Sequence, residues 1–498
     1  MSTTTTILNT TPMHSHNAKK ASDSADTSSS ANIVNIHVDD RLKTDAALVS
    51  QRVLAPSSGT QSLHEGAQNF DSITPKMRRY EMVVFAAMSF ALFLAGWNDG
   101  TVGPLLPRIQ EVYGVGYAVV SVIFICACIG FVTGSLANVY LTDRYNLGLL
   151  MIGASACQVV AYAILAAAPP YPLFCIAFMI NGFGISIQDA QANSLVASFS
   201  RSPNEKMGVL HAVYGLGAFA APLSATQFAQ IPKWSFHFLM SLGIALLNTL
   251  LLFVTVKGHS LEAILKGVGS SPPETRTADM ELSNTRPVDG NSSSETGEVA
   301  PAPPSKSSMN QILRNVTVQL MAVFIFVYVG VEVTIGGWIV TFIISERGGG
   351  PSSGYISSGF FGGLMVGRVA LLWLNKKVGE RRVVFGYALL AIGLEVVIWL
   401  VPHLIGNAVA ISIIGVLLGP MYPICINHAG RIIPRNILSG SIGWIAGFGQ
   451  AGSAVLPFIT GALASQFGIV SLQPLLVSMM AFMTILWALV PGHSKRRD

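Results

Sequence analysis

Asp99, Asp189, Glu332, Arg368 and Glu395 interrupt stretches that are otherwise apolar. An ionisable side chain at the centre of a membrane helix costs about 2.5–3.5 kcal/mol on insertion scales, so each needs a pathway, a partner or a position near the surface. Asp189 is the best placed for chemistry. It lies in NGFGISIQDAQANSL, about nine residues, or roughly 13 Å of helix, from one end of its apolar run. Asn193 follows four residues later on the same helix face, and Gln188 and Gln191 widen the polar stripe. Such a stripe is expected to face a watery cavity, where a carboxyl group can take up and release a proton. The rival reading is an acid hydrogen-bonded between helices.

Asn98 and Asp99 follow Trp97 between Gly96 and Gly100. An irregular helix there would expose backbone groups to a cavity. The pair suits sugar hydroxyls or a coupling cation, or else caps the helix near the surface. Glu332 sits in YVGVEVTIGGW, with Tyr328 one turn earlier and Trp338 just past a glycine pair. An acid, a phenol and an indole near a helix break suit a sugar or polyol: the acid accepts hydroxyl protons, and a flat ring covers C–H faces. A structural Glu332 paired with another helix is the alternative. Asn427, His428 and Gln450 are neutral polar candidates for substrate contact, against a rival role in inter-helix hydrogen bonds of about 0.6 kcal/mol each.

The elements that position these residues are long apolar runs. The 498 residues are 51% hydrophobic and 11% charged, against about 25% charged in a soluble domain. Twelve runs of membrane-spanning length fall near 82–104, 117–140, 148–168, 172–198, 207–231 and 235–256, then near 316–344, 354–374, 383–402, 405–427, 439–463 and 468–490. The fold class is an all-α membrane protein of two six-helix bundles. The division reads as a disordered tail over 1–80, a first bundle over 81–257, a polar linker over 258–312, a second bundle over 313–491 and a short tail over 492–498. The tail is rich in Ser, Thr, Asn and Asp and the linker in Pro, Ser and Glu, and neither has the apolar content to fold.

Lys and Arg gather in alternate loops, among them Arg78, Arg79, Arg144, Arg201, Lys206, Arg314, Lys376, Lys377, Arg381, Arg382, Arg431, Arg435, Lys495, Arg496 and Arg497. The intervening loops hold Arg108, Lys233 and Arg347. The positive-inside rule puts the basic side, both termini and the insert in the cytosol. The net charge of +5 is therefore topological and no sign of nucleic-acid binding. The five cysteines lie in apolar runs and read as buried thiols. His14, His16 and His37 are too scattered for a metal site. No nucleophile–base pair, phosphate loop, cofactor or metal motif stands out, so an enzyme or a primary pump is not expected.

The loops after the second and eighth runs, GSLANVYLTDRYNLG and GRVALLWLNKKVGERR, resemble the loop signature of the major facilitator superfamily. The resemblance implies gate residues at the cytosolic helix ends: Asp143, Arg144, Arg368, Lys376, Lys377, Arg381 and Arg382, with Arg368 a substrate ligand second. Asn375 stands where an acid is usual. Span 4 with Asp189 and Asn193, LHAVYGLGAFAAPL in span 5 and GPMYP in span 10 resemble the fucose–proton symporter branch and its eukaryotic glucose-type relatives, with a fungal flavour. That match makes His211 a candidate proton relay, the alternative being a hydrogen-bonded core histidine. It also makes Glu395, on a peripheral helix, structural.

The expected function is a secondary transporter, monomeric in its bilayer, of a small sugar or polyol. Protons would drive it through Asp189, with Asp99 or Glu332. A proton-driven exporter of amphipathic compounds and a non-transporting nutrient sensor are the rivals. The membrane itself, plasma or internal, stays open.

Overall fold

A computed structural model describes residues 74–270 and 306–492, and the described residues contain helices but no strands. The spans are α1 (Pro75–Tyr113), α2 (Tyr117–Thr142), α3 (Leu147–Ala166), α4 (Tyr171–Ala197), α5 (Pro203–Ala229) and α6 (His237–Val256). After the insert come α7 (Val316–Glu346), α8 (Pro351–Ala370 with Leu372–Val378, bent by 52°), α9 (Glu380–Leu400), α10 (Leu404–Ile432), α11 (Arg435–Phe467) and α12 (Leu472–Leu489). Among the described residues, eleven helices are long and apolar enough to cross a membrane, and the bent pair makes a twelfth if it is one span. The tail up to residue 73 with His14, His16 and His37, the insert's middle over 271–305, and 493–498 with Lys495, Arg496 and Arg497 lie outside the described residues, as does the side chain of Arg435.

Local chemistry sets the ends. The Thr74 hydroxyl accepts from the Met77 amide beside Pro75, and Gly114 closes α1 in the left-handed region at φ 60°. The apolar run near 82–104 therefore understates α1, because Pro104 and Pro107 do not end it; neighbouring helices re-satisfy backbone groups freed by proline inside a membrane. Asn315 caps α7 by accepting from the amides of Thr317 and Val318.

The linker read over 258–312 is helical at both margins, at Leu261–Gly267 and Lys306–Arg314. Ile264, Leu265 and Val268 join the buried cluster of Val84 and Met88, and Ile312 is buried with Val318 and Met321. Those apolar side chains pull the margins onto the helices beside them. Exposed Val254, Leu390 and Ile485 give α6, α9 and α12 apolar outer faces suited to lipid.

Small residues let the spans approach closely. A Cβ at Gly96 would overlap the backbone carbonyl of Tyr214, and one at Gly100 that of Ala218, so α1 and α5 are nearly in backbone contact. Gly130 and Gly134 play this part between α2 and α4, and Gly359 and Gly363 between α8 and α10, whereas Gly443 and Gly447 face open space. Gly96→Val is expected to destabilise the protein by more than the usual overpacking cost of about 1–3 kcal/mol, because backbone must move. Gly443→Ala should leave stability unchanged or raised by up to about 1 kcal/mol. Thermal unfolding of the two variants in detergent checks the contrast; equal midpoints would contradict it.

The first six spans meet the second six mainly at the ends remote from the basic loops. There the Ala118 amide donates to Ser465 Oγ at 2.8 Å, Gln227 Nε2 donates to the Tyr355 hydroxyl, and Tyr117 stands edge-on to Trp338. Gly103 lies against the Gly336 carbonyl and Gly354 against Thr226. Nearer the middle, Cys128 Sγ donates to the Gln450 carbonyl at 3.4 Å. Toward the basic end, Cβ atoms at Gly208, Gly443 and Gly447 would meet nothing within 4 Å. The molecule is closed at one end and parted at the other.

Candidate functional site

The middle of the first six spans carries a hydrogen-bonded chain that ends on Asp99. Its Oδ2 accepts from the Tyr214 hydroxyl of α5, and its Oδ1 from Asn98 Nδ2 at 3.2 Å. Asn98 Oδ1 accepts from Asn181 Nδ2 of α4 at 2.6 Å, and that amide also reaches the Tyr162 hydroxyl of α3 at 3.3 Å. Asp99 is exposed although it lies well inside a span, so it faces the opening between the halves. Asp189 is half-buried, and its Oδ1 accepts from Asn193 Nδ2 at 2.9 Å. It lies within electrostatic reach of Asp99 and of Tyr422 in α10. Both Asp99 and Asp189 thus have neutral donors rather than cations beside them.

The second six spans answer with one cation. Arg368 Nη2 lies 3.6 Å from Glu332 Oε1, an ion pair too long for a firm hydrogen bond. Tyr328 packs beside the pair and donates to the Leu418 carbonyl at 3.1 Å, tilted against Tyr422 at 6.4 Å. Arg368 also lies within electrostatic reach of His211 and Tyr214. The three carboxyl groups are within electrostatic reach in series, Asp189 of Asp99 and Asp99 of Glu332, and among the described residues Arg368 pairs with Glu332 alone. An excess of carboxyl groups over cations around one opening calls for a proton or another cation, and the phenols and amides around it suit a polyhydroxylated solute.

Twelve apolar spans closed at one end around this centre have a counterpart in sequence: the profile of the Major Facilitator Superfamily matches residues 88–436. The chain belongs to the Major Facilitator Superfamily. It is 27% identical to the Bypass of stop codon protein 6 of Saccharomyces cerevisiae, covering 84% of this chain and 83% of that one. It is 25% identical to the Glucose/galactose transporter of Brucella abortus, over 77% and 89% of the two chains. The solved inward-open xylose transporter of E. coli superposes with a TM-score of 0.64 at 12% identity, covering 84% of this chain and 98% of that one.

Within this superfamily transporter, the sequence candidates separate into those that reach the opening and those that do not. Asn98, Asp99, Asp189, Asn193, Glu332 and Arg368 gather there, with Tyr328 packed behind them. His211 and Asn427 are exposed. Gln188 does not join them: it is buried, donates to the Met151 carbonyl and accepts from Asn248 Nδ2. Gln191 is buried too and donates to Asn138 and Thr142 of α2. Residues i and i+3 share a face, so Gln188 pairs with Gln191, while Asp189 pairs with Asn193 on a different face. Trp338 is fully buried in the closed end, its Nε1 donating to the Pro457 carbonyl at 3.0 Å, and offers no ring to a solute. His428 turns away to the Pro491 carbonyl and the Trp487 ring. Gln450 is half-buried on the α2–α11 seam.

The expected acid–base brace between the basic ends of neighbouring helices is not formed by these gate residues among the described residues. Arg144 lies over the Tyr140 ring and Lys377 over Trp373. Arg381 donates to the Val490 carbonyl, capping α12. Asp143, Lys376 and Arg382 are exposed, and none of the three joins an ion pair among the described residues. Charge pairing at this end runs instead from buried Glu81 to Arg201 and Lys206, and from Glu380 to Arg431. Sequence reading missed Glu81, Asn181, Tyr162, Tyr214 and Tyr422. Tyr214 had a signal, three residues after His211 on one helix face; Glu81 had one in its place ahead of an apolar run.

Proposed function

We propose that this transporter moves a sugar or polyol by alternating access, coupled to protons through Asp189 with Asp99 beside it. The observation that carries the reading is the exposure of Asp99 and the half-burial of Asp189 inside spans that are otherwise apolar. Carboxyl groups in lipid would be costly, and carboxyl groups on an aqueous path are not. The glucose/galactose relative supports the substrate class. The distribution of Lys and Arg supports a cytosolic basic end, with the insert on the same side. In that orientation the parted end faces the cytosol, an inward-open state. The protein acts as a monomer, without enzymatic chemistry.

Reconstitution into proteoliposomes tests the function. A panel of hexoses, polyols, aromatic acids and amphipathic dyes is offered with and without an inward proton gradient. Gradient-dependent accumulation of a hexose or polyol is the expected result. Gradient-driven loss of a dye would instead make the protein an exporter, and absence of any flux would favour a sensor. Protease outside sealed cells should spare the insert; cleavage within 271–305 would overturn the orientation.

A further inference from the structure

Tyr214 stands where the charged centres of the two halves approach each other. Its backbone is pressed against Gly96 of α1, which fixes its phenol relative to Asp99 three residues on. On its other side α5 runs against α8. A Cβ at the neighbouring Gly215 would lie 3.1 Å from Met365. Nearer the closed end the same two helices are joined by Gln227 and Tyr355. These two contacts set an antiparallel register in which one turn toward the basic end on each helix brings the 211–214 segment opposite Arg368. Tyr214 accordingly lies within electrostatic reach of Asp99, Glu332 and Arg368 together.

We propose that Tyr214 is a positioning residue that passes the charge state of Asp99 to the Arg368–Glu332 pair, an inference that rests on the proton-coupled reading above. A phenol has one proton to donate and lone pairs to accept with, and an ionised carboxylate can only accept. While Asp99 is ionised, Tyr214 must donate to it, which holds the phenol dipole in one direction within electrostatic reach of Arg368 and Glu332. When Asp99 takes a proton from solution, it can donate to the phenol oxygen instead. The phenol proton then turns away from Asp99, and the reversed dipole changes the field felt by the Arg368–Glu332 pair. No covalent bond changes beyond the protonation of Asp99; only the direction of the hydrogen bonds reverses. One oxygen atom thereby links protonation in the first six spans to an ion pair in the second six.

Tyr214→Phe removes that oxygen and keeps the ring. Wild-type protein and Tyr214→Phe are compared in proteoliposomes by substrate counterflow across a pH series and by accumulation under an imposed proton gradient. Expected for the variant are a displaced pH midpoint of counterflow and a drop of about tenfold in gradient-driven accumulation, the scale of a hydrogen bond to a charged group. A uniform loss at every pH with an unmoved midpoint would mean a merely structural role and would overturn the proposal, as would a wild-type profile. Arg368→Lys supplies the second arm. It should move the midpoint in the wild-type background and add little in the Tyr214→Phe background, because the link is already cut; additive shifts would overturn the proposal. If wild-type flux itself ignores pH, the proton-coupled reading falls and this inference with it. If wild type responds and the variant matches it, this inference alone falls.

Discussion

Asp189→Asn is expected to abolish uptake driven by a pH gradient while substrate binding survives. The side chain is half-buried inside α4; Asn193, a neutral donor, donates to its Oδ1, and Asp99 is the nearby charge. An amide in that place imitates the protonated acid permanently and keeps its size, so the helix packing is undisturbed. A positioned proton-transfer group contributes about 100-fold or more to a rate, and uptake should fall by at least that scale. Counterflow exchange does not require release of the proton and should persist. Both assays belong side by side on protein of matched expression. Wild-type uptake under a pH gradient would make Asp189 a structural acid and move the proton route to Asp99 or Glu332.

The second large effect is expected at Arg368. Its side chain and that of Glu332 are 24% and 15% exposed, so the pair is partly solvated and worth less than a fully sealed one. Removing one partner of a buried pair costs about 3–5 kcal/mol; the exposure here brings the expectation down to about 1.5–3 kcal/mol, the range of a charged hydrogen bond. Arg368→Ala should therefore lower transport by about tenfold or more, since each 1.36 kcal/mol is a factor of ten. It leaves Glu332 without its guanidinium partner. Arg368→Lys restores charge but not the planar fork and should recover part of the loss. Pairing Glu332→Gln with Arg368→Gln should cost less than the two single changes added together, because neither leaves the other stranded. Strictly additive losses would show that the two side chains act independently.

Much of this protein could be read from its chain alone. The number of spans, the polar insert and the basic side follow from composition and periodicity, because a bilayer imposes one length and one sign rule on every helix. Asp99, Asp189, Glu332 and Arg368 were legible for the same reason: a charge within an apolar run is conspicuous wherever it folds. What the chain could not specify was which neighbour each polar group meets. Gln188 and Trp338 had suitable chemistry in suitable places, yet one bonds α6 and the other α11. Helical rotation by a single residue turns a side chain by about 100°, enough to move it from an opening to a seam. The partners of Tyr214 and Asn181 became visible only when α1 was packed against α5 and α4, for they are distant in sequence. The continuation of α1 past Pro104 and Pro107, the burial of the insert's margins, and the choice of which end is closed belong to tertiary structure too. Each depends on contacts between spans, and a sequence pattern reports only the surroundings of one span at a time.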